Sequence, residues 1–113
     1  MSEATVIDPF SFIPFEGGNG KRLACSTVTA RVAVPGTQGQ SALERILVTN
    51  GGTVSAFIRM GQSNVVATLD CMEILPGTTQ TFTVPQLAPS GLFVAGITES
   101  GSTNLSIVSG SGI

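Results

Sequence analysis

Short β-prone segments separated by turn residues dominate the hydrophobic pattern of this chain. In the segment 23–34, apolar and polar positions alternate: Val28, Ala30, Val32 and Val34 share one face, and Thr27, Thr29 and Arg31 share the other. A period of two residues is typical of a half-buried strand. The pattern therefore predicts one strand over residues 23–34, ended by Pro35-Gly36.

Similar segments follow at residues 43–49, 53–60, 65–68, 71–75, 80–84, 92–98 and 104–108. Gly, Pro, Asn and Ser lie between them and favour turns. Asn50-Gly51 predicts a hairpin between two of these segments, because both residues tolerate positive φ. Ser41 and Glu44 also fit a helix capping box, so a short helix over residues 42–47 competes with the strand there. The β-branched residues that follow favour the strand.

This arrangement amounts to about seven or eight short strands, which is typical of a β-sandwich or barrel. The count fits a jelly roll, and an immunoglobulin-like sandwich fits almost as well, although the buried tryptophan of that fold has no counterpart here. We predict an all-β sandwich or jelly roll over residues 23–108. An extended N-terminal arm is expected at residues 1–22 and a flexible tail at residues 109–113.

The predicted arm concentrates aromatic side chains. Phe10, Phe12 and Phe15 are three of the six phenylalanines, and Pro9 and Pro14 flank them and oppose a helix. Because aromatic residues often dominate interface energetics, these three phenylalanines are candidate partner-binding residues. Alternatively, the segment is an edge strand that buries the rings in its own domain, and the two arrangements do not exclude each other.

Composition restricts the classes of function. The 113 residues suit one domain, and only 11% are charged, against about 25% in typical proteins, which favours a surface covered by other protein. The net charge is −2, the basic residues are scattered, and there is no Trp or Tyr, so nucleic-acid binding is not expected. No secretory signal or membrane-spanning run is recognised, so we expect synthesis in cytoplasm, with Cys25 and Cys71 as buried free thiols.

Residues for catalysis or metal binding are scarce. The chain has no histidine, and its two cysteines form no CxxC pair, so we predict no catalytic, cofactor or metal site and no small-molecule substrate. Arg31, Arg45 and Arg59 each fall within a predicted strand. They are candidates for bidentate contacts with carboxylates of a partner, the alternative being that they solvate an exposed sheet face.

One part of the sequence resembles a known family. Residues 46–73 (ILVTNGGTVSAFIRMGQSNVVATLDCME), the following Ile74-Leu75-Pro76-Gly77 and the later Val94-Ala95-Gly96-Ile97-Thr98 are similar to small head proteins of tailed bacteriophages. The shared features are structural turns and strand faces. The predicted arm and the loop at residues 37–41 lie outside the resemblance.

The resemblance implies a jelly-roll cement, or decoration, protein of a short-tailed phage. Such a protein would be made in the host bacterial cytoplasm, bind the capsid exterior and staple neighbouring subunits of the major capsid protein. We expect a non-enzymatic dimer or trimer, since symmetric lattice sites favour symmetric oligomers. The alternatives are a phage tail or baseplate subunit, or a receptor- or carbohydrate-binding β-sandwich module.

Overall fold

The computed structural model describes residues 12–14, 20–34, 44–84 and 91–112, and within these ranges it contains nine strands and no helix. The strands are β1 (Phe12–Pro14), β2 (Gly20–Cys25), β3 (Ala30–Val34), β4 (Glu44–Asn50), β5 (Ala56–Gly61), β6 (Met72–Ile74), β7 (Thr79–Thr83), β8 (Leu92–Ile97) and β9 (Thr103–Gly112). The short helix considered over residues 42–47 does not form at residues 44–47, which belong to β4.

The strands form two antiparallel sheets. In the first sheet, β9 lies between β4 and the two strands β1 and β2, which follow one another along its other side, and β7 lies beyond β4. The second sheet has the order β3-β8-β5-β6. The prediction of an all-β sandwich is confirmed.

The strand pairs are nested within one another. β5 pairs with β6, β4 with β7, β3 with β8 and β2 with β9, so the chain folds back on itself about the β5–β6 connection. Successive pairs alternate between the two sheets. Eight strands wound in this way make the double Greek key of a jelly roll.

Alternation along the strands places the core between the sheets. In β4, Ile46 and Val48 are fully buried, whereas Arg45, Leu47 and Thr49 are half-buried on the outer face. The other large buried side chains come from both sheets: Leu23, Ile58, Ile74, Leu92, Val94, Leu105 and Ile107. Gly96 allows the sheets to approach closely, because a Cβ atom there would lie 2.6 Å from Cys25 Sγ. Glycine at such a contact avoids a clash that would force side chains apart.

The single strand predicted over residues 23–34 is wrong. The segment divides at residues 26–29, so that β2 belongs to the first sheet and β3 to the second. Ser26 Oγ accepts a hydrogen bond from the Val28 backbone N–H at 3.3 Å, a local contact that competes with strand pairing. Val28, predicted on the apolar face, is 71% exposed in this turn.

The hairpin predicted at Asn50-Gly51 is also wrong. β4 and β5 lie in different sheets, so residues 51–55 connect the two layers of the sandwich. The Asn50 side chain is buried and accepts a hydrogen bond from the Gly52 N–H at 3.1 Å, which shapes the connection. An Asn-Gly pair signals a turn, and the signal does not say whether the flanking strands pair.

Both predicted domain boundaries shift. β2 begins at Gly20, three residues before the expected start of the sandwich. Residues 109–112, predicted as a flexible tail, belong to β9 and pair with both β1 and β4. Small residues are tolerated there because Ser109 and Gly110 are buried between neighbouring strands. The predicted arm at residues 1–22 lies largely outside the described residues, apart from β1 and the start of β2.

Candidate functional site

The structure separates the predicted partner-binding residues. Phe10 and Phe15 lie outside the described residues. Phe12 begins β1, whose backbone pairs with that of Gly112 in the same chain, so this short part of the arm docks on its own domain. The side chain of Phe12 is not among those that the structure describes.

Arg31 and Arg59 lie in one row across the outer face of the second sheet. Both are paired with Ala95 of β8, from opposite sides, and both are exposed. Residues 62–71, which connect β5 to β6, cover part of this face. Arg31 Nη1 donates a hydrogen bond to the Val65 carbonyl oxygen at 3.4 Å. Arg31 therefore has a structural role in holding this connection against the sheet.

The same connection is anchored at two further points. The Ala67 backbone N–H donates to Thr29 Oγ1 at 3.0 Å, and Val65 and Ala67 bury Ala95 beneath them. Arg59 lies beside an open groove of about 540 Å³, lined also by Met60, Met72, Asp70 and other residues of this region. The groove mixes apolar and charged side chains without a cluster that indicates one ligand.

Arg45 lies on the outer face of the first sheet, away from Arg31 and Arg59. The ladder register of β2, β4, β7 and β9 defines this surface, here called the threonine face. It carries the side chains of Arg22, Ala24, Arg45, Leu47, Thr49, Thr79, Thr81, Thr83, Asn104, Ser106 and Val108, with Gly20 and Gly110 in the same rows. One of its rows runs across four strands, through Arg22, Ser106, Thr49 and Thr79. The described part of the face is thus a continuous pleated surface on which most side chains are short.

The charge on the threonine face is entirely positive among its described residues. Arg22 is exposed and lies beside a groove of about 170 Å³ that Asn104 and Ser106 also line. Arg45 Nη1 donates a hydrogen bond to the Glu44 carbonyl oxygen at 3.1 Å. Arg22 is absent from the predicted contact residues because the first strand was expected to begin at Leu23. The alternation of residues 28–34 also does not continue into β2, since β2 and β3 belong to different sheets.

The described acidic residues lie elsewhere. Glu44 is on the inner face of β4 and is buried. Glu73 and Glu99 line a separate groove of about 310 Å³, and Asp70 lies in the β5–β6 connection. The exposed acidic side chains among the described residues therefore lie in or beside the second sheet, together with Arg31 and Arg59, and none of them is on the threonine face.

Both cysteines are free thiols, as predicted, but they differ in burial. Burial raises the pKa of the Cys25 thiol from 9.0 to about 11, so it is protonated at neutral pH. Cys71 is half-buried rather than buried, and its Sγ lies 3.4 Å from the Thr68 backbone N–H. In the described ranges, no group of three or more Cys, Asp or Glu side chains is placed to hold a metal ion.

The fold defines an all-β, jelly-roll sandwich with one nearly uncharged outer face. Comparison with protein-family models, curated proteins and solved structures gives no match in any of the three. The described residues contain no helix long and apolar enough to cross a membrane.

Proposed function

We propose that this chain is a structural, non-enzymatic virion protein of a bacteriophage. It binds the outer surface of the capsid and staples neighbouring major capsid subunits, as a cement or decoration protein. The observation that carries the proposal is the threonine face, which spans four strands and has arginine as its only charged residue type among the described positions. The resemblance of residues 46–77 to phage head proteins supports it.

The threonine face suits protein docking for physical reasons. Threonine is β-branched and stiff at χ1, so a threonine surface loses little side-chain entropy when a partner covers it. Thr49 Oγ1 and Thr79 Oγ1 already share a hydrogen bond at 3.0 Å, which orders two of these side chains before binding. Arg22 can add a bidentate contact to a capsid carboxylate at the margin of the interface.

Residues 1–22 give the proposed staple its reach. β1 lies along β9 next to β2, so the described part of the arm, residues 12–14, is at the edge of the same sheet that carries the threonine face. If the domain binds one capsid subunit and the arm of the same chain binds the next, the two linked contacts hold the chain more tightly than either contact does alone. Preference for the assembled shell over free subunits would stabilise the shell by mass action.

The proposed partners are the major capsid protein and further copies of this chain, at the exterior of the virion after synthesis in the host cytoplasm. Nucleic acid, membrane and small-molecule substrates have no part in this function. Low charge favours a protein that works with much of its surface covered.

Co-sedimentation with decoration-free capsids of the matching phage tests the proposal. We expect saturable binding at a fixed ratio to the major capsid protein. Arg22→Glu should weaken binding by at least about tenfold, because it places a carboxylate on the positive face. Lys21→Glu is the matched control: it makes the same kind of charge change at the adjacent exposed residue, whose side chain lies on the opposite side of β2.

A truncation that starts at Gly17 tests the arm separately. It removes β1 and the phenylalanines, and we expect weaker binding at an unchanged saturation ratio. If folded, soluble protein does not bind intact shells at all, the capsid role is wrong, and tail components and glycans become the partners to screen. If Lys21→Glu and Arg22→Glu weaken binding equally, the threonine face is not the contact surface.

A further inference from the structure

The outer edges of the two sheets differ in how they are protected against pairing with another strand. β2 carries Lys21 and Arg22, β1 ends in a proline, β3 carries Arg31, and β6 has only three residues, one of them Glu73. β7 forms the remaining edge, and its sequence TQTFT contains neither a charged residue nor proline. Charge, proline and short length are the usual means of blocking edge-to-edge pairing, and β7 uses none of them.

The ladder to β4 shows which backbone groups of β7 face outward. Val84 N–H donates to the Glu44 carbonyl at 3.0 Å, and Asn50 N–H donates to the Thr78 carbonyl at 2.9 Å. Hydrogen-bonded positions alternate in an antiparallel pair, so the backbone groups of Gln80 and Phe82 also point toward β4. The N–H and C=O groups of Thr79, Thr81 and Thr83 therefore point away from the sheet, and no described residue pairs with them.

We propose that the β7 edge binds the β7 edge of a second copy of this chain. The two strands run antiparallel about a two-fold axis at Thr81, so that Thr81 lies opposite Thr81 of the partner subunit. Thr79 then lies opposite the partner's Thr83. Each of these pairs joins outward-facing backbone groups, which form the two hydrogen bonds of a bonded antiparallel pair.

The side chains favour a second copy as the occupant. Threonine opposite threonine is a favourable cross-strand pair, and self-pairing about this axis brings no like charges together. On the inner side of the strand, Phe82 is half-buried against the core, and its uncovered part would lie against the partner's Gln80. The edge is thus complementary to itself, as an interface with two-fold symmetry requires.

Pairing in this register has a geometric consequence for the threonine face. Residues directly opposite one another in a ladder point to the same side, so the outer faces of both first sheets become one continuous surface. That surface carries two copies of Arg22 and Arg45. The pairing itself does not depend on the capsid role, but the use of the doubled surface as a bivalent staple rests on the proposed function.

Charge-swap variants at Thr81 test both the partner and the register. Sedimentation velocity should show a concentration-dependent dimer for the unmodified protein. Thr81→Lys and Thr81→Glu should each raise the dimer dissociation constant by at least about tenfold, because like charges meet at the axis. An equimolar mixture of the two variants should restore dimers. Ser106→Lys, an exposed substitution in β9 on the same face, is the control and should leave dimerisation unchanged.

A proline pair keeps the test independent of folding. Thr81→Pro removes an outward N–H and spares the ladder to β4, so we expect a folded monomer. Gln80→Pro removes a ladder hydrogen bond and should instead unfold the edge. The proposal is overturned if the unmodified protein is monomeric at every soluble concentration. It is also overturned if Thr81→Pro still forms dimers, or if the mixture of Thr81→Lys and Thr81→Glu forms none. If the unmodified protein is monomeric but Thr81→Pro abolishes capsid binding, the β7 edge pairs with a strand of the capsid and not with a second copy of this chain. Dimers that fail to bind capsids would leave the pairing intact and count only against the proposed function.

Discussion

Asn50 lies at the end of β4 with its side chain fully buried, and each polar atom of that side chain has two partners. Nδ2 donates to the carbonyl oxygens of Val54 and Ile74, both at 2.9 Å. Oδ1 accepts from the Gly52 N–H at 3.1 Å and from Thr103 Oγ1 at 2.6 Å. One amide thus joins strands of both sheets to the connection between them.

We expect Asn50→Asp to lower the free energy of unfolding by about 2–4 kcal/mol, because two carbonyl groups lose their donor and a carboxylate is buried without a cation. Urea denaturation measures the change. Asn104→Asp is the control, since Asn104 is exposed on β9, and it should change stability by less than about 0.5 kcal/mol. Equal effects of the two substitutions would contradict the role given to the buried amide.

The Cys25 thiol makes stability depend on pH in the alkaline range. Its pKa is raised from 9.0 to about 11 by burial in the folded protein, so the protonated thiol favours the folded state. This contribution is complete below pH 9 and is lost as the pH rises from 9 to 11. A shift of this size corresponds to about 2–3 kcal/mol, and no tyrosine titrates in the same window.

Denaturation curves measured across that window should show the loss in the unmodified protein and in Cys71→Ala. In Cys25→Ala the fall should be largely absent, although the variant starts from a lower stability because it leaves a cavity. A fall of the same size in Cys25→Ala would assign the pH dependence to another group.

At the scale of elements, β9 joins more strands than any other in the described fold. It pairs with β4 along one side and with β2 and β1 in succession along the other. Its last part, residues 109–112, has the Gly- and Ser-rich composition that predicted a flexible tail. Composition misled here because small residues are compatible with a strand whose neighbours on both sides supply hydrogen bonds.

Removal of residues 109–113 should therefore destabilise the fold more than removal of an unpaired tail would. β1 loses its whole ladder, and Glu44, Arg45 and Ile46 lose their partners in β9. We expect the melting temperature to fall by at least about 10 °C, measured by circular dichroism. A truncation of residue 113 alone keeps every described pair and should melt close to the full chain. An unchanged melting temperature in the longer truncation would show that the paired end of β9 contributes little.

The sequence predicted the existence of most strands better than their pairing. The β-prone segments at residues 43–49 and 92–98 correspond to β4 and β8, because β propensity and turn residues act locally along the chain. The division of residues 23–34 and the crossing at Asn50-Gly51 depend on contacts with β8, β9 and Thr103, which are distant in sequence. Periodicity contains no information about such partners.

The same limit applies to the candidate site. Arg31 and Arg45 were both candidates for partner contacts, and the sheets place them on opposite faces of the sandwich. Arg22 joins Arg45 only through β9, so its position follows from register rather than from its neighbours in the chain. A surface assembled from four strands cannot be predicted until the strand order is known.

At the scale of the whole molecule, the jelly roll separates two kinds of outer surface. The second sheet is partly covered by its own β5–β6 connection, whereas the threonine face has no described segment across it. The proposed capsid contact and the proposed β7 pairing both use the first sheet, so one continuous surface would serve binding and dimerisation. The predictions for Arg22 and Thr81 separate these two roles.

The nesting of the strand pairs also constrains the order in which a newly made chain can fold. β5 and β6 are the first partners available on the ribosome, and each later pair encloses the earlier one, ending with β9. Until residues 103–112 emerge, β2 and β4 have no strand between them and the first sheet cannot close. Until then the nascent chain keeps strands of the first sheet without all their partners, a state in which unpaired strand edges favour aggregation.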